Sequence, residues 1–346
     1  MRNHVLDAEK AVAAYMVVFL HLHFPGVTGE IFNAAARFAV PFFFMISGYF
    51  CWRKDGNAGA RIPGKIRHTF FLCVASFGFY LVWEWGLHIL EGKSPVLWFQ
   101  ELFAKENIRN FLYSNNTTDI KWHLWFLPAL LYCYVLFFAV EKLRVQKLAE
   151  FLIPVLLLRH FYMEEAAVFT GMEYRVMEFR NYLYTGFPFF MAGYWVHRKQ
   201  GILKKYLKNS MIYLGIALGI VLSVGEYFLL GQMELFAGSV ILTFSLFFLG
   251  IIKEGEKAPS FLAEIGVKYS FFIYLFHLAV ADVVKDAAVF AGIEENIIYL
   301  WLYPLLTAFL TTVLAVLIKG VQGKSVHRFY TEKQGQSPVH KRKNVL

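Results

Sequence analysis

Long apolar runs, separated by short basic or aromatic-polar joints, organise this chain. A membrane-crossing helix needs about 20 mostly apolar residues at about 1.5 Å rise per residue. Ten segments approach that pattern: 8–25, 34–52, 66–90, 122–140, 148–166, 182–198, 210–230, 235–252, 268–290 and 296–318. The fifth is crowded in its second half by Arg159, His160, Glu164 and Glu165. The ninth carries His277, Asp282, Lys285 and Asp286, so its outer end is expected to be wet. The pattern predicts an all-α, polytopic integral membrane protein of about ten transmembrane helices over residues 1–320. Residues 321–346 form a basic, polar tail expected to be disordered and to touch anionic lipid. No internal repeat, heptad or soluble domain stands out. The longest stretch outside the spans, about 91–121, either covers a site or merely connects two helices.

Charge fixes the orientation. In a ten-span topology nine of the 34 Lys and Arg fall on one side: Arg37, Lys93, Lys105, Arg109, Lys121, Arg159, Arg175, Arg180 and Lys285. The other 25 share a side with the termini, which the positive-inside rule makes cytoplasmic. Helix one then runs outward, with Lys10 near the cytoplasm and His21 roughly 16 Å away toward the outer surface. The +9 net charge is topology signal, and nucleic acid is not an expected partner. At 58% hydrophobic and 17% charged, the composition lies on the membrane side of a typical soluble protein, which is about 25% charged. Cys51, Cys73 and Cys133 are odd in number and unpaired in spacing, so they read as core or lipid-facing residues. No signal peptide is expected: the N-terminus carries Asp7, Glu9 and Lys10, and no small-residue cleavage site follows the run.

The polar residues inside the apolar runs are the candidate chemistry. His21 ends the first run, and a neutral imidazole is a natural base for a hydroxyl. His23, two positions on, is expected on another helix face, so that one of the two faces the bundle. Arg61, Lys65, Arg67 and His68 are either inner-side topology charge or a phosphate site. Ser47 and Gly48, in FFFMISGYF, allow close helix contact. Arg37, before that motif, serves a substrate or anchors the helix. Trp122, His123 and Trp125 are an interfacial belt or a surface on which a sugar stacks. His277, deep in an apolar helix, must have a polar partner: Ser270 or Tyr274, on neighbouring turns, or a group on another helix. No nucleotide loop, nucleophile elbow or metal-ligand spacing is present, so neither a metal nor a bound cofactor is expected.

In this order, LDAEKAVAAYMVVFLH, VPFFFMISGYF, the basic start of span three, HLWFLPALL, GFPFFMAGYW and YSFFIYLFH resemble the membrane-bound acyltransferase-3 family, over about residues 5–318. The resemblance implies a roughly ten-helix bundle that takes an acyl group, usually acetyl, from cytoplasmic acyl-CoA. Delivery is to a hydroxyl at or beyond the outer surface, on cell-surface polysaccharide, O-antigen or peptidoglycan sugars. The family hallmark is an arginine, ten residues, then a histidine. His21 matches the histidine, and Lys10 stands where the arginine would be, keeping the charge without the bidentate fork. Some relatives resemble the membrane portion of vancomycin-resistance serine racemases, which handles serine uptake. Neither a racemase nor an extracellular esterase-like domain is expected here.

The expected mechanism has Arg61, Lys65 and Arg67 holding CoA phosphates while the acyl arm enters the bundle. His21 deprotonates the acceptor for direct attack on the thioester. Lys10 serves CoA or a carboxylate such as Glu9. Arg37, Ser47, His123, Ser270 and His277 are supporting residues, with Ser47 the outside candidate for a covalent step and His277 for a proton relay. The expected donor is acetyl-CoA or another acyl-CoA, and the acceptor a cell-surface or lipid-linked glycan or another hydroxyl compound. The expected surroundings are the lipid bilayer of a bacterial cytoplasmic membrane, with a homo-oligomer left open. Two alternatives also stay open: a permease for a small polar solute such as serine, and a membrane component that supports partner proteins.

Overall fold

The computed structural model describes residues 3–54 and 58–335, and among these there is no strand. The helices are α1 (His4–His21), α2 (Gly26–Ala36), α3 (Ala39–Tyr49), α4 (Ile62–Leu90), α5 (Pro95–Leu102), α6 (Lys105–Ser114), α7 (Phe126–Leu143), α8 (Gln146–Thr170), α9 (Val176–Phe179), α10 (Phe187–Tyr206), α11 (Asn209–Leu230), α12 (Ala237–Ile252), α13 (Ser260–Lys268), α14 (Ser270–Ala291) and α15 (Ile297–Gly335). A helix occupies each of the ten expected spans. Among the described residues, five stretches are long and apolar enough to cross a membrane, or six if α13 and α14 count as one bent span. Of the rest, α12 is short at 16 residues, and α1 and α8 each carry several charged residues. α15 continues to Gly335, past the point where the tail was expected to begin, and residues 336–346 lie outside the described residues. "Inner" and "outer" below follow the charge asymmetry.

Two of the expected spans are broken. The second begins at Gly26 and is interrupted at Arg37–Phe38, between α2 and α3. Pro41 lacks an N–H for the Arg37 carbonyl four residues back, which weakens the helix at that point. The ninth bends by 75° at Tyr269, which sets α13 apart from α14. Each break leaves polar groups beside a cavity.

α1 is the central strut, packed against α2, α3, α12, α13, α14 and α15. Its buried alanines, Ala8, Ala11, Ala13 and Ala14, let these neighbours approach. Asn3 caps it twice over: its side chain accepts from Leu6 N at 2.9 Å and donates to Gly250 O of α12 at 2.7 Å. Helix α1 stops at His21 because Leu22 turns extended and Pro25 follows. α3 and α10 pack backbone to backbone. A Cβ at Gly48 would stand 1.8 Å from Phe190 O, and one at Gly193 would stand 1.9 Å from Met45 O. The close approach expected around Ser47 and Gly48 is therefore backbone to backbone. Gly193→Ala is expected to lower stability by about 1–3 kcal/mol, by forcing the two backbones apart. Gly78→Ala, with open space at its Cβ, is expected to be neutral or mildly stabilising; chemical denaturation in detergent reads both.

Candidate active site

At the outer end of α1 lies a cavity of about 250 Å³. His21, His23, Arg37, Trp122, His123, Arg180, Glu234 and Tyr274 are among its walls. Both His21 and His23 line it, against the expectation that only one would face inward. The reason is local: the helix ends at His21, so the helical rotation that would carry His23 away stops there.

Three imidazoles meet behind this cavity. The His21 ring stacks on His277 with centroids 5.2 Å apart and planes within 9°, and His123 lies edge-on to His277 at 5.0 Å. Trp122 closes the other side of His21, with centroids at 4.1 Å. His277 Nδ1 lies 2.7 Å from Tyr274 O and 3.2 Å from Ile273 O. Both are acceptors, so Nδ1 carries the proton and Nε2 presents a lone pair. That Nε2, His21 Nδ1 and His123 Nδ1 are all buried without a hydrogen-bond partner. Unpaired buried polar atoms are rare, so three gathered beside one cavity stand out. Among the described residues these rings do not form a metal-holding group.

The partner expected for His277 was Ser270, Tyr274 or a group on another helix. Instead the backbone of Tyr274 holds its ring, while Ser270 Oγ donates to Gly266 O at 2.8 Å. The Tyr274 hydroxyl donates to His123 O at 3.0 Å, which ties α14 to the 3₁₀ turn Trp122–Trp125. Lys121 anchors the same turn through Glu84 of α4 at 2.5 Å and Asp282 of α14 at 2.9 Å. The 91–121 stretch folds into α5 and α6 and none of it lines the outer cavity.

On the opposite wall the charges form one network. Glu234 accepts from Arg37 at 3.1 Å and from Arg180 at 3.2 Å. Arg37 Nε and Nη2 also donate to Asn33 Oδ1, at 3.2 and 3.0 Å. This fixes the orientation of the amide and sets Asn33 Nδ2 2.9 Å from His23 Nε2, which also lies 3.0 Å from Leu20 O. Behind Glu234, Glu164 accepts from the backbone N–H of Glu234 and Leu235 and from His160 Nε2, the last at 2.9 Å. Arg180, Glu234 and Asn33 were missed in the sequence. The available signal was scarcity: few charges lie on the outer side, and Arg37, Lys121 and Arg180 are all substantially buried.

A second cavity, about 260 Å³, lies on the inner side and is lined by Lys10, Ser47 and Ser270 among others. Val17, Val40, Phe126 and Tyr274 line both cavities. Lys10 pairs with Asp7, one turn back, at 2.6 Å. The expected pairing with Glu9 does not form, because adjacent residues on a helix do not face each other; Glu9 instead faces Gly250. Ser47 Oγ donates to Phe43 O at 2.9 Å. The Arg61, Lys65 and Arg67 set does not converge. Lys65 turns inward, donating to Phe50 O at 3.2 Å and lying 5.4 Å over the Tyr134 ring. Arg61 is exposed, and Arg67 lines a separate apolar groove between α4 and α7.

A family model described as an acyltransferase domain matches residues 3–320. The chain belongs to the acyltransferase-3 family. A serine/alanine racemase from Enterococcus gallinarum is 31% identical over 136 residues, 38% of this chain. The match spans only 18% of that racemase. No solved structure matches.

In this acyltransferase-3 member, Glu234→Ala is expected to leave Arg37 and Arg180 uncompensated. The cost falls toward the low end of the about 3–5 kcal/mol typical of a broken buried pair, since Glu234 keeps 23% exposure. Adding Arg180→Ala is expected to recover part of that loss in the same denaturation assay.

Proposed function

We propose that the protein is a membrane O-acyltransferase that moves an acetyl group from cytoplasmic acetyl-CoA to a hydroxyl of a cell-surface or lipid-linked glycan, with His21 as general base. The observation that carries this reading is a pair of cavities, one toward each side of the membrane, on the two faces of a shared wall of Val17, Val40, Phe126 and Tyr274. One reaches the cationic inner end at Lys10, the other the imidazole cluster. The pantetheine arm of CoA enters from the inner side and brings its thioester to that wall. Lys10 lines that route, and Lys65 and Arg61 on the same side draw CoA phosphate from solution. Ser47 and Ser270, both hydrogen-bonded to backbone, line the route without being activated.

The chemistry then moves one proton in two steps. His21 takes the proton of the acceptor hydroxyl as its oxygen attacks the thioester carbonyl. The C–O bond of the new ester forms, the C–S bond breaks, and the leaving thiolate takes the proton back from His21. His277, stacked on the His21 ring, and His123 pack around that imidazole. An outer groove of about 670 Å³, walled by Met172, Glu173 and Tyr174, shares Gln232 and Glu234 with the outer cavity. It gives the rest of a large acceptor somewhere to lie.

Two cavities either side of a thin wall would also suit a permease for a small polar solute such as serine, and one experiment separates the readings. His21→Ala is expected to cut acetyl transfer by about 10²–10⁴-fold while acetyl-CoA still binds. Transfer that survives in this variant would defeat the assignment. Uptake of serine into proteoliposomes without acetyl-CoA would establish the permease instead.

A further inference from the structure

The outer cavity has an unbalanced charge. Three charged side chains line it: Arg37, Arg180 and Glu234. One carboxylate faces two guanidiniums, which leaves one positive charge in a largely enclosed space. The nearby carboxylate of Glu164 lies outside the cavity lining, where it accepts from His160 and two backbone N–H groups. Lys121 and its two carboxylates lie outside the cavity lining.

The two arginines are not equivalent. Arg37 is 5% exposed and uses Nε, Nη1 and Nη2 on Asn33 and Glu234. It is spent on structure. Arg180, among the described residues, makes one ion pair, from Nη1, and lies 5.6 Å over the Trp125 ring. Its Nε and Nη2 edge is left for something else. A guanidinium braced on an aromatic face, with a free planar edge in a cavity, suits a bidentate oxyanion.

We propose that the acceptor is anionic, carrying a carboxylate or phosphate that seats on Arg180 beside the hydroxyl presented to His21. This rests on the acyl-transfer reading for the hydroxyl, but the anion site is testable without a donor. Seated there, the anion neutralises the surplus charge of the cavity. It also holds the acceptor by a group that does not react, so the hydroxyl is positioned before the proton moves. A neutral sugar would leave the Arg180 edge unpaired in the cavity, and such a cost is what gives a site its selectivity.

The test uses the full chain in nanodiscs, without acyl-CoA, at constant ionic strength. Thermal stability is read against glucuronate, glycerol 1-phosphate and glucose, with sodium chloride as the ionic control. The expected result is saturable stabilisation by at least one of the two anions and none by glucose or chloride. Which anion acts tells carboxylate from phosphate. Arg180→Gln is expected to weaken that binding at least tenfold, and Arg180→Lys, which keeps the charge but not the fork, less so. Equal stabilisation by glucose, no saturable response to either anion, or an undiminished response in Arg180→Gln overturns the proposal. A separate acetyl-CoA binding measurement on the same preparation keeps this outcome apart from failure of the acyl-transfer reading.

Discussion

One shared carboxylate holds the outer half of the molecule in register. Glu234 lies in the connection between α11 and α12, Arg37 at the break between α2 and α3, and Arg180 just after α9. None of these segments has regular structure at that point, and each would carry unpaired groups alone. The two ion pairs join them, and Glu164 fixes the Glu234 backbone from α8. A buried pair is a poor source of net stability but a strong specifier of geometry, because breaking it costs more than forming it gains. Here the geometry specified is a cavity wall that faces an imidazole cluster.

The opposite wall is built by different means. α1 delivers His21 because its small residues let six helices crowd round it and because it ends there. α14 delivers His277 already oriented, with its Nδ1 proton taken by the backbone of the preceding turn. His123 arrives on a short turn pinned at one end by Lys121 and at the other by Tyr274. The two walls leave polar nitrogens without protein partners in a place where burial makes such atoms expensive. Stability alone gives no reason to keep three of them together.

Much of this was legible in the sequence, and the limits follow from what hydropathy measures. Hydropathy and length located the helices. His21, His123 and His277 stood out because each is an ionisable group in an apolar run. Their convergence was not visible, since no spacing rule links residues 21, 123 and 277. Broken spans were hard to read for the same reason: Pro41 sits within an apolar run, and the average hides the break at Arg37. The inner basic cluster shows the opposite failure. Arg61, Lys65 and Arg67 are close in sequence, yet helical rotation sends Lys65 toward Tyr134 and Arg67 toward the α4–α7 groove.

The central claim is that a single route joins the cationic inner end to His21. A cryo-EM map of the protein with acetyl-CoA bound tests it most directly. The account expects the nucleotide at the inner end near Lys10 and Lys65, with the thioester at the wall of Val17 and Tyr274, beside His21. Acetyl-CoA seated on the outer face, or bound with its thioester remote from His21, would contradict it.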